Sequence, residues 1–240
     1  LFLPGLFAGG WIWERVASPL ALELQVVVPR HPYALHPRPQ ASLEGLVAHL
    51  ERLLERHARA PALLFANSLG GLVALAFARR RPERLAGLVL SGAPGLSEGR
   101  APGIGGRRLT REAAHRLASH LFYDRTAVSD AAVEAAFETI RAPAAQRNIV
   151  RLLRESRRAG LTGWLCEVRV PTLLVWGAED RVTPVGPWTA ACRDLPEAEL
   201  RILRHCGHSP MLERPEAFLR LVRPFLDRLA RDREPAAALV

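Results

Sequence analysis

The sequence predicts an α/β fold with a mostly parallel central sheet, helices on both faces and an inserted helical lid. Short apolar runs of the kind found in buried parallel strands alternate with segments that carry apolar residues at helical spacing. This alternation stops between residues 96 and 165, where only helical patterns occur. A chain of 240 residues is long enough for one domain with a sizeable core and a smaller lid.

The core elements are predicted to follow one another in strand and helix order. Ser42 is suited to the N-cap of a helix whose apolar residues recur at helical spacing as far as Leu54. Further helices are predicted directly after Ser68 and over residues 215–229. The predicted strands cover residues 1–3, 24–29, 62–65, 85–91, 171–176 and 200–203.

Residues 96–165 are predicted to form the lid, which divides the core into residues 1–95 and 166–240. Thr110 and Ser129 suit the N-caps of two of its helices. A lid above the strand ends would exclude water from a reaction site and shape the substrate pocket. The helices predicted within it cover residues 110–122, 129–140 and 144–159.

The most informative segment of the chain is residues 65–71, which read FANSLGG. An apolar run leads into Ser68, and a helical pattern begins immediately after it. A serine between a strand and a helix is typical of a nucleophile elbow. Such a turn needs small residues two positions before and after the serine, because the two backbones nearly touch. Ala66 and Gly70 meet this need, so Ser68 is predicted to be a catalytic nucleophile.

A serine nucleophile needs a general base and a group that orients the base. Asp180 follows the predicted strand 171–176, and His208 follows the strand 200–203 in a loop that contains glycine. Each residue alone also fits an ordinary turn or loop. Together with Ser68, however, they follow three successive strand ends in the chain order Ser, Asp, His. We interpret the three residues as a catalytic triad.

A glycine-rich loop after the first predicted strand supplies the remaining part of the site. Residues 4–11 read PGLFAGGW. An oxyanion hole combines the N–H group after the nucleophile with one from such a loop. The backbone N–H groups of Leu69 and Leu6 are the matching candidates.

These motifs together resemble the α/β-hydrolase superfamily over nearly the whole chain. In detail the sequence is similar to the branch that holds meta-cleavage-product (carbon–carbon bond) hydrolases, lactonases and carboxylesterases. That similarity is carried by GGW at residues 9–11, by Asn67, by Asp180-Arg181, by HCGH at 205–208 and by LFYD at 121–124. The resemblance implies the α/β-hydrolase fold, a serine-hydrolase mechanism on a small-molecule substrate, and no cofactor.

Four sites depart from the carbon–carbon hydrolases of that branch. Pro4 replaces a His, Ile12-Trp13 stands where those enzymes have Asn, Ala136 lies near their lid Arg, and Ser209 replaces a Trp. The missing groups serve an anionic dienol substrate. We therefore expect hydrolysis of a small or medium, largely apolar ester or lactone. Three alternatives stay open, namely carbon–carbon bond hydrolysis of a dienol ketone, a binding or accessory protein that retains the triad, and cofactor-free lyase or perhydrolase chemistry.

Six residues are predicted to line the substrate pocket, and they come from the glycine-rich loop, the elbow, the lid and the histidine loop. They are Phe7, Trp11, Asn67, Phe122, Phe137 and Met211. Cys206 lies two residues before His208 and is a second nucleophile candidate, although a small packing residue is the favoured interpretation.

Composition limits the other classes of partner. The formal net charge is +9 and every basic residue is Arg, but the short Arg clusters lack interleaved aromatic residues, so nucleic-acid binding is not expected. No run is long and apolar enough for a membrane span. Three widely spaced cysteines fit a reducing, cytoplasmic compartment, and no residue pattern indicates a metal site. The sequence leaves a homodimer open.

Overall fold

The computed structural model describes residues 1–38, 40–97, 110–126 and 128–232, and its centre is a five-stranded sheet. The strands lie side by side in chain order, and every neighbouring pair is parallel. The predicted parallel sheet is therefore confirmed. The strands are β1 Phe2–Leu3, β2 Ala62–Asn67, β3 Leu85–Ser91, β4 Thr172–Gly177 and β5 Ala198–Leu203.

Nine α-helices occur within the described residues, and the predicted helices are all among them. They are α1 Glu14–Leu20, α2 Leu43–His57, α3 Leu69–Arg80, α4 Arg111–Leu121, α5 Asp130–Arg141, α6 Pro143–Arg157, α7 Val185–Ala191, α8 Pro210–Glu213 and α9 Pro215–Arg231.

Helices cover both faces of the sheet, as the apolar strands require. Every residue of β3 and β4 is buried, which is the pattern of parallel strands with a layer on each side. Leu72 of α3 and Trp188 of α7 belong to the core cluster on one face, together with residues of α2. Val16 of α1 and Phe218 of α9 belong to the cluster on the other face.

The register of the sheet brings the carboxyl ends of its strands to one edge. Asn67, the last residue of β2, pairs with Ser91, the last residue of β3. Gly177 at the end of β4 pairs in the same way with Leu203 at the end of β5. The segments that follow these four strands therefore leave the sheet next to one another, where open α/β sheets bind their ligands.

The strand predicted over residues 24–29 is wrong. The segment lies beside β1, and the Phe2 N–H group donates a hydrogen bond to the Val27 carbonyl (3.0 Å). This single bond does not make a ladder, and the segment is irregular and partly exposed. Three consecutive valines favour a strand, but a strand needs continuous pairing with a neighbour as well as suitable side chains.

The three helices α4, α5 and α6 form an insertion between β3 and β4. Thr110 and Ser129 cap α4 and α5 as predicted, because their side-chain oxygens accept hydrogen bonds from the N–H groups of Ala113 and Ala132 (3.2 Å each). Ser42 caps α2 in the same way through Gly45 (3.1 Å). Residues 98–109 of the predicted lid lie outside the described residues.

The insertion is attached to the core by buried polar contacts as well as by apolar packing. The Asn148 side chain on α6 donates hydrogen bonds to the carbonyls of Ala34 and His36, both at 2.9 Å. The Glu155 carboxylate accepts a bond from the N–H group of Leu43 at the start of α2 (2.6 Å). Val133 of α5 and Leu152 of α6 are buried in the same cluster as Leu72. These contacts hold the insertion over the edge where the strands end.

Candidate active site

Ser68 lies at a sharp turn between β2 and α3. Its backbone has φ 53° and ψ −125°, and its N–H group donates to the Ser91 carbonyl at 2.8 Å. A positive φ at a residue other than glycine typically costs about 1–3 kcal/mol and is common at functional sites. A Cβ at Gly70 would lie 2.6 Å from the Pro4 carbonyl oxygen. Gly70 is therefore needed here because the start of α3 lies against the end of β1 and Pro4.

His208 and Asp180 are joined by a buried hydrogen bond. The distance between His208 Nδ1 and Asp180 Oδ2 is 2.8 Å, and both side chains are almost fully excluded from solvent. Because Nδ1 carries the proton in this bond, Nε2 of the neutral ring is the proton acceptor. A histidine oriented by a buried aspartate in this way is typical of a general base.

Thr183 completes the surroundings of the Asp180 carboxylate, and the sequence argument missed it. Its hydroxyl donates to Asp180 Oδ2 (2.8 Å), and the N–H groups of Thr183 and Val182 donate to Oδ1 (2.9 and 2.8 Å). Burial alone would raise the pKa of Asp180, but His208 and the Thr183 bonds outweigh it and lower that pKa below its usual value. The carboxylate is thus held ionised. The sequence signal that could have indicated Thr183 is the Asx turn at residues 180–183, directly after a strand.

Asn67 connects the serine to the histidine loop. Its side-chain Nδ2 donates to the Ser91 carbonyl (3.3 Å) and to the His208 carbonyl (3.1 Å). Asn67 immediately precedes Ser68, so these two bonds fix the backbones of both Ser68 and His208 against the end of β3. The predicted pocket residue therefore also has a positioning role.

Gly92 packs against the imidazole ring, which the sequence argument also missed. A Cβ built on this residue would lie 2.6 Å from His208 Cε1 and 2.8 Å from Nδ1. Its φ is +61°, in the region that favours glycine. Glycine is required here because the ring occupies the space that any side chain would fill.

The residues predicted to supply the oxyanion-hole N–H groups both lie beside Ser68. Leu69 is the first residue of α3, so its N–H group has no intrahelical partner. Leu6 follows Gly5, whose built Cβ would lie 3.2 Å from the Ser68 Cβ. Both Leu6 and Leu69 line the cavity described next, and neither N–H group forms a backbone hydrogen bond within the described part of the chain.

Ser68 and His208 both open into one cavity between the strand ends and the insertion. Its volume is about 120 Å³, which is small beside the roughly 300–1,000 Å³ of most ligand pockets. Its walls are mainly apolar, with side chains from the glycine-rich loop and from α4, α5 and α6, and among them are Leu117, Leu121, Ala132, Leu152 and Leu153. The arrangement can therefore hold a small apolar substrate next to a serine, a histidine base and two free N–H groups.

Comparison with known proteins agrees with this geometry. A model of the alpha/beta hydrolase family matches residues 1–221. The chain belongs to this family. One relative and two solved structures illustrate its range. The 2-hydroxy-6-oxo-2,4-heptadienoate hydrolase of Pseudomonas putida is 28% identical over 241 residues, which cover 93% of this chain and 85% of that relative.

Two solved structures extend this range among hydrolases. A membrane phospholipase A shares 26% identity with a TM-score of 0.80, over 95% of this chain and 78% of that protein. Est816, described as an N-acyl homoserine lactone degrading enzyme, shares 26% identity with a TM-score of 0.76, over 93% of this chain and 91% of that protein.

In this hydrolase, four of the six predicted pocket residues line the cavity, namely Phe7, Trp11, Asn67 and Phe122. The predictions for Phe137 and Met211 are wrong. Phe137 packs against the core, while its neighbour Ala136 on α5 faces the cavity. Met211 is fully buried in the cluster on the other face of the sheet, and Leu212 lines the cavity instead. In each case the residue at the cavity is the sequence neighbour of the predicted one, and one position along a helix corresponds to a rotation of about 100°.

Cys206 is a packing residue in the structure of this hydrolase. Its side chain is completely buried, it does not line the cavity, and its Sγ contacts the Gly207 carbonyl at 3.9 Å. Burial also raises the pKa of the thiol well above its usual value, so the nucleophilic thiolate is disfavoured.

The described residues contain neither a metal-type cluster nor a helix suited to a membrane. No cluster of His, Cys, Asp or Glu there has an arrangement suited to a metal ion. None of the helices in the same part of the chain combines the length and the apolar character that a membrane crossing requires.

Proposed function

We propose that this hydrolase cleaves a small or medium, largely apolar carboxylic ester or lactone through an acyl-enzyme on Ser68. The observation that carries the proposal is the buried 2.8 Å bond between His208 and Asp180 beside a serine on a strained elbow, at a mainly apolar cavity. The small cavity favours compact acyl groups.

The proposed reaction has two steps that use the same histidine. Ser68 Oγ attacks the carbonyl carbon while its proton passes to His208 Nε2, and the oxyanion accepts bonds from the N–H groups of Leu6 and Leu69. The carbon–oxygen bond to the alcohol then breaks, and His208 returns the proton to the departing oxygen. Water attacks the acyl group with its proton passing to His208, and Ser68 leaves with that proton as the acid is released.

Three cavity residues support an ester over an anionic dienol ketone. Ile12, Ala136 and Ser209 all line the cavity, and they stand where the carbon–carbon hydrolases of the related branch carry Asn, a lid Arg and Trp. An anionic substrate in an apolar cavity needs a partner of opposite charge, because burying an unpaired charge is costly. The replaced positions supply none.

Carbon–carbon bond hydrolysis is the second candidate, and one residue favours it. Arg157, the last residue of α6, is exposed at the edge of the cavity, and its guanidinium adds a positive charge to the cavity lining. A guanidinium there suits a substrate carboxylate. The relative from Pseudomonas putida, a heptadienoate hydrolase, also points in this direction.

The first experiment tests the nucleophile. The purified protein is incubated with a fluorophosphonate probe, and the intact mass is measured beside the Ser68→Ala variant. We expect a single adduct on the parent and none on the variant, with the two proteins unfolding at the same temperature. Labelling of the variant would contradict the assignment of Ser68, and an unlabelled parent would favour a binding or accessory protein.

The second experiment separates the two reactions. Rates are measured on p-nitrophenyl esters of increasing acyl length, on lactones and on a dienol ketone carboxylate. Arg157→Gln should leave ester kcat/KM within about threefold of the parent, because neutral esters gain little from a cation. The control is Arg154→Gln, on the same helix but outside the cavity. Turnover of the dienol ketone with a KM that rises in Arg157→Gln alone would establish the second candidate.

A further inference from the structure

A carboxylate that the proposed reaction does not use lies behind His208. Glu213, the last residue of α8, is half-buried. Its Oε1 accepts a hydrogen bond from the Gly207 N–H group (2.9 Å), and its Oε2 accepts one from the Tyr123 N–H group (2.7 Å). One carboxylate therefore holds the residue before the catalytic histidine and a residue just after α4.

The segment after α4 is itself bonded to the catalytic loops. The Leu121 carbonyl accepts a bond from the His208 N–H group at 2.7 Å. The Phe122 carbonyl accepts one from the Arg181 guanidinium at 3.2 Å. The two backbones are in direct contact, because a Cβ on Gly207 would lie 2.5 Å from the Leu121 carbonyl oxygen. The position of the His208 backbone thus depends on how residues 121–123 are held.

Glu213 is suited to holding them because a carboxylate is a pure acceptor. Its two oxygens bond two N–H groups at once, whereas a side-chain amide offers one acceptor and places a donor at the other site. Burial raises the pKa of Glu213, although the N–H groups of Tyr123, Gly207 and Ser209 oppose this rise. Within the described residues its partners are backbone N–H groups rather than a cation, so a purely ionic surface role does not explain it.

We propose that Glu213 is a positioning residue that fixes His208 for proton transfer by joining the histidine loop to the end of α4. The proposal rests on the proposed function, since it concerns the base of that reaction. It also predicts a coupling, because residues 121–123 can leave the histidine loop only when the Tyr123 bond and the bond from the His208 N–H group both break.

The test compares Glu213→Gln and Glu213→Ala with the parent. The matched control is Glu216→Gln, because Glu216 on α9 is exposed and pairs with Arg15 on the surface of the described chain. Ester kcat and KM, the rate constant of fluorophosphonate labelling, the final number of adducts per chain and the unfolding temperature are measured for each. Rates are expressed per labelled site, so that a misfolded fraction does not enter them.

We expect kcat and the labelling rate constant to fall by about 10-fold in Glu213→Gln and by about 10²-fold in Glu213→Ala. KM should stay within about threefold, because the pocket walls are unchanged. Backbone amides of residues 121–123 and 205–209 should exchange hydrogen faster together in both variants. Glu216→Gln should match the parent in every rate.

Three results would overturn the proposal. If Glu213→Gln keeps the parental rates per labelled site while its unfolding temperature falls, the residue is only structural. If exchange rises in one of the two segments alone, Glu213 does not join them. If the parent is not labelled at all, the proposed function is wrong and the inference fails with it. If the parent is labelled and the Glu213 variants are fully active, only the inference is wrong. The isosteric Gln variant decides the matter if the Ala variant does not fold.

Discussion

Gly92→Ala tests whether the imidazole of His208 must lie where the structure places it. Two carbon atoms in contact prefer a separation of about 3.5–4.0 Å, but the new Cβ would lie 2.6 Å from His208 Cε1. The ring must therefore move by about 1 Å. Such a shift disturbs the 2.8 Å bond to Asp180 and displaces Nε2.

A misplacement of about 1 Å in a catalytic group can lower a rate by about 10²-fold, which corresponds to about 2.7 kcal/mol of barrier. Gly92→Ala also places alanine at a φ of +61°, which costs about 1–2 kcal/mol of folding free energy. We expect kcat/KM on a p-nitrophenyl ester to fall by about 10²-fold and the free energy of unfolding in urea to fall by about 1–3 kcal/mol.

Gly160→Ala is the matched control for backbone strain. Gly160 has a φ of +58°, but the nearest atom to its built Cβ is the Arg158 carbonyl oxygen at 3.9 Å. This variant should lose a similar stability and keep its activity. If the kcat/KM of Gly92→Ala lies within about threefold of that of Gly160→Ala, Gly92→Ala causes only backbone strain. The requirement that the His208 ring lies against Gly92 is then refuted.

Three further predictions concern buried polar groups. Thr183→Val removes the hydroxyl bond to Asp180 and should lower kcat by about 10-fold, measured beside Thr183→Ser, which keeps the bond and should stay near the parent. Iodoacetamide at pH 8 should alkylate the exposed Cys166 and spare Cys206 in the native protein, as peptide masses will reveal; equal labelling of both would contradict the buried thiol. Burial, helped by neighbouring positive groups, lowers the pKa of His36 to about 4. The folded protein then resists a proton that the unfolded chain accepts below about pH 6.5, so the urea unfolding free energy should fall between about pH 6.5 and pH 4 and less so in His36→Gln.

Local chemistry allowed the candidate catalytic residues to be predicted from the sequence. Gly70 is required by the close approach of the start of α3 to Leu3 and Pro4, and the small residues around Ser68 appear as a pattern within seven positions. Asp180 and His208 follow strands whose apolar character is continuous, and parallel pairing brings strand ends together without any knowledge of the side chains between them. Helix caps at Ser42, Thr110 and Ser129 are local for the same reason.

Features that depend on contacts between distant parts of the chain could not be predicted from the sequence. The segment 24–29 has strand-forming side chains, but its pairing with β1 is limited to one bond that the sequence does not encode locally. The rotation of α5 that turns Ala136 rather than Phe137 to the cavity follows from packing against α4 and α6. Glu213 was also missed, because its partners are backbone N–H groups of residues that carry no side-chain signal for it.

The division between mechanism and substrate follows from the same geometry. The strand ends supply the serine, the histidine and the aspartate, and these groups treat any carbonyl carbon alike. The insertion supplies a large part of the walls, and its cavity residues Leu117, Ala136 and Leu152 cannot neutralise a charge. A substrate carboxylate buried against them would be unpaired unless it reached Arg157 at the edge. Neutral esters and lactones need no such partner, so the uncharged walls support them as the proposed substrates. The ratio of dienol ketone to ester kcat/KM in Arg157→Gln, compared with the parent, measures how far the guanidinium favours an anionic substrate.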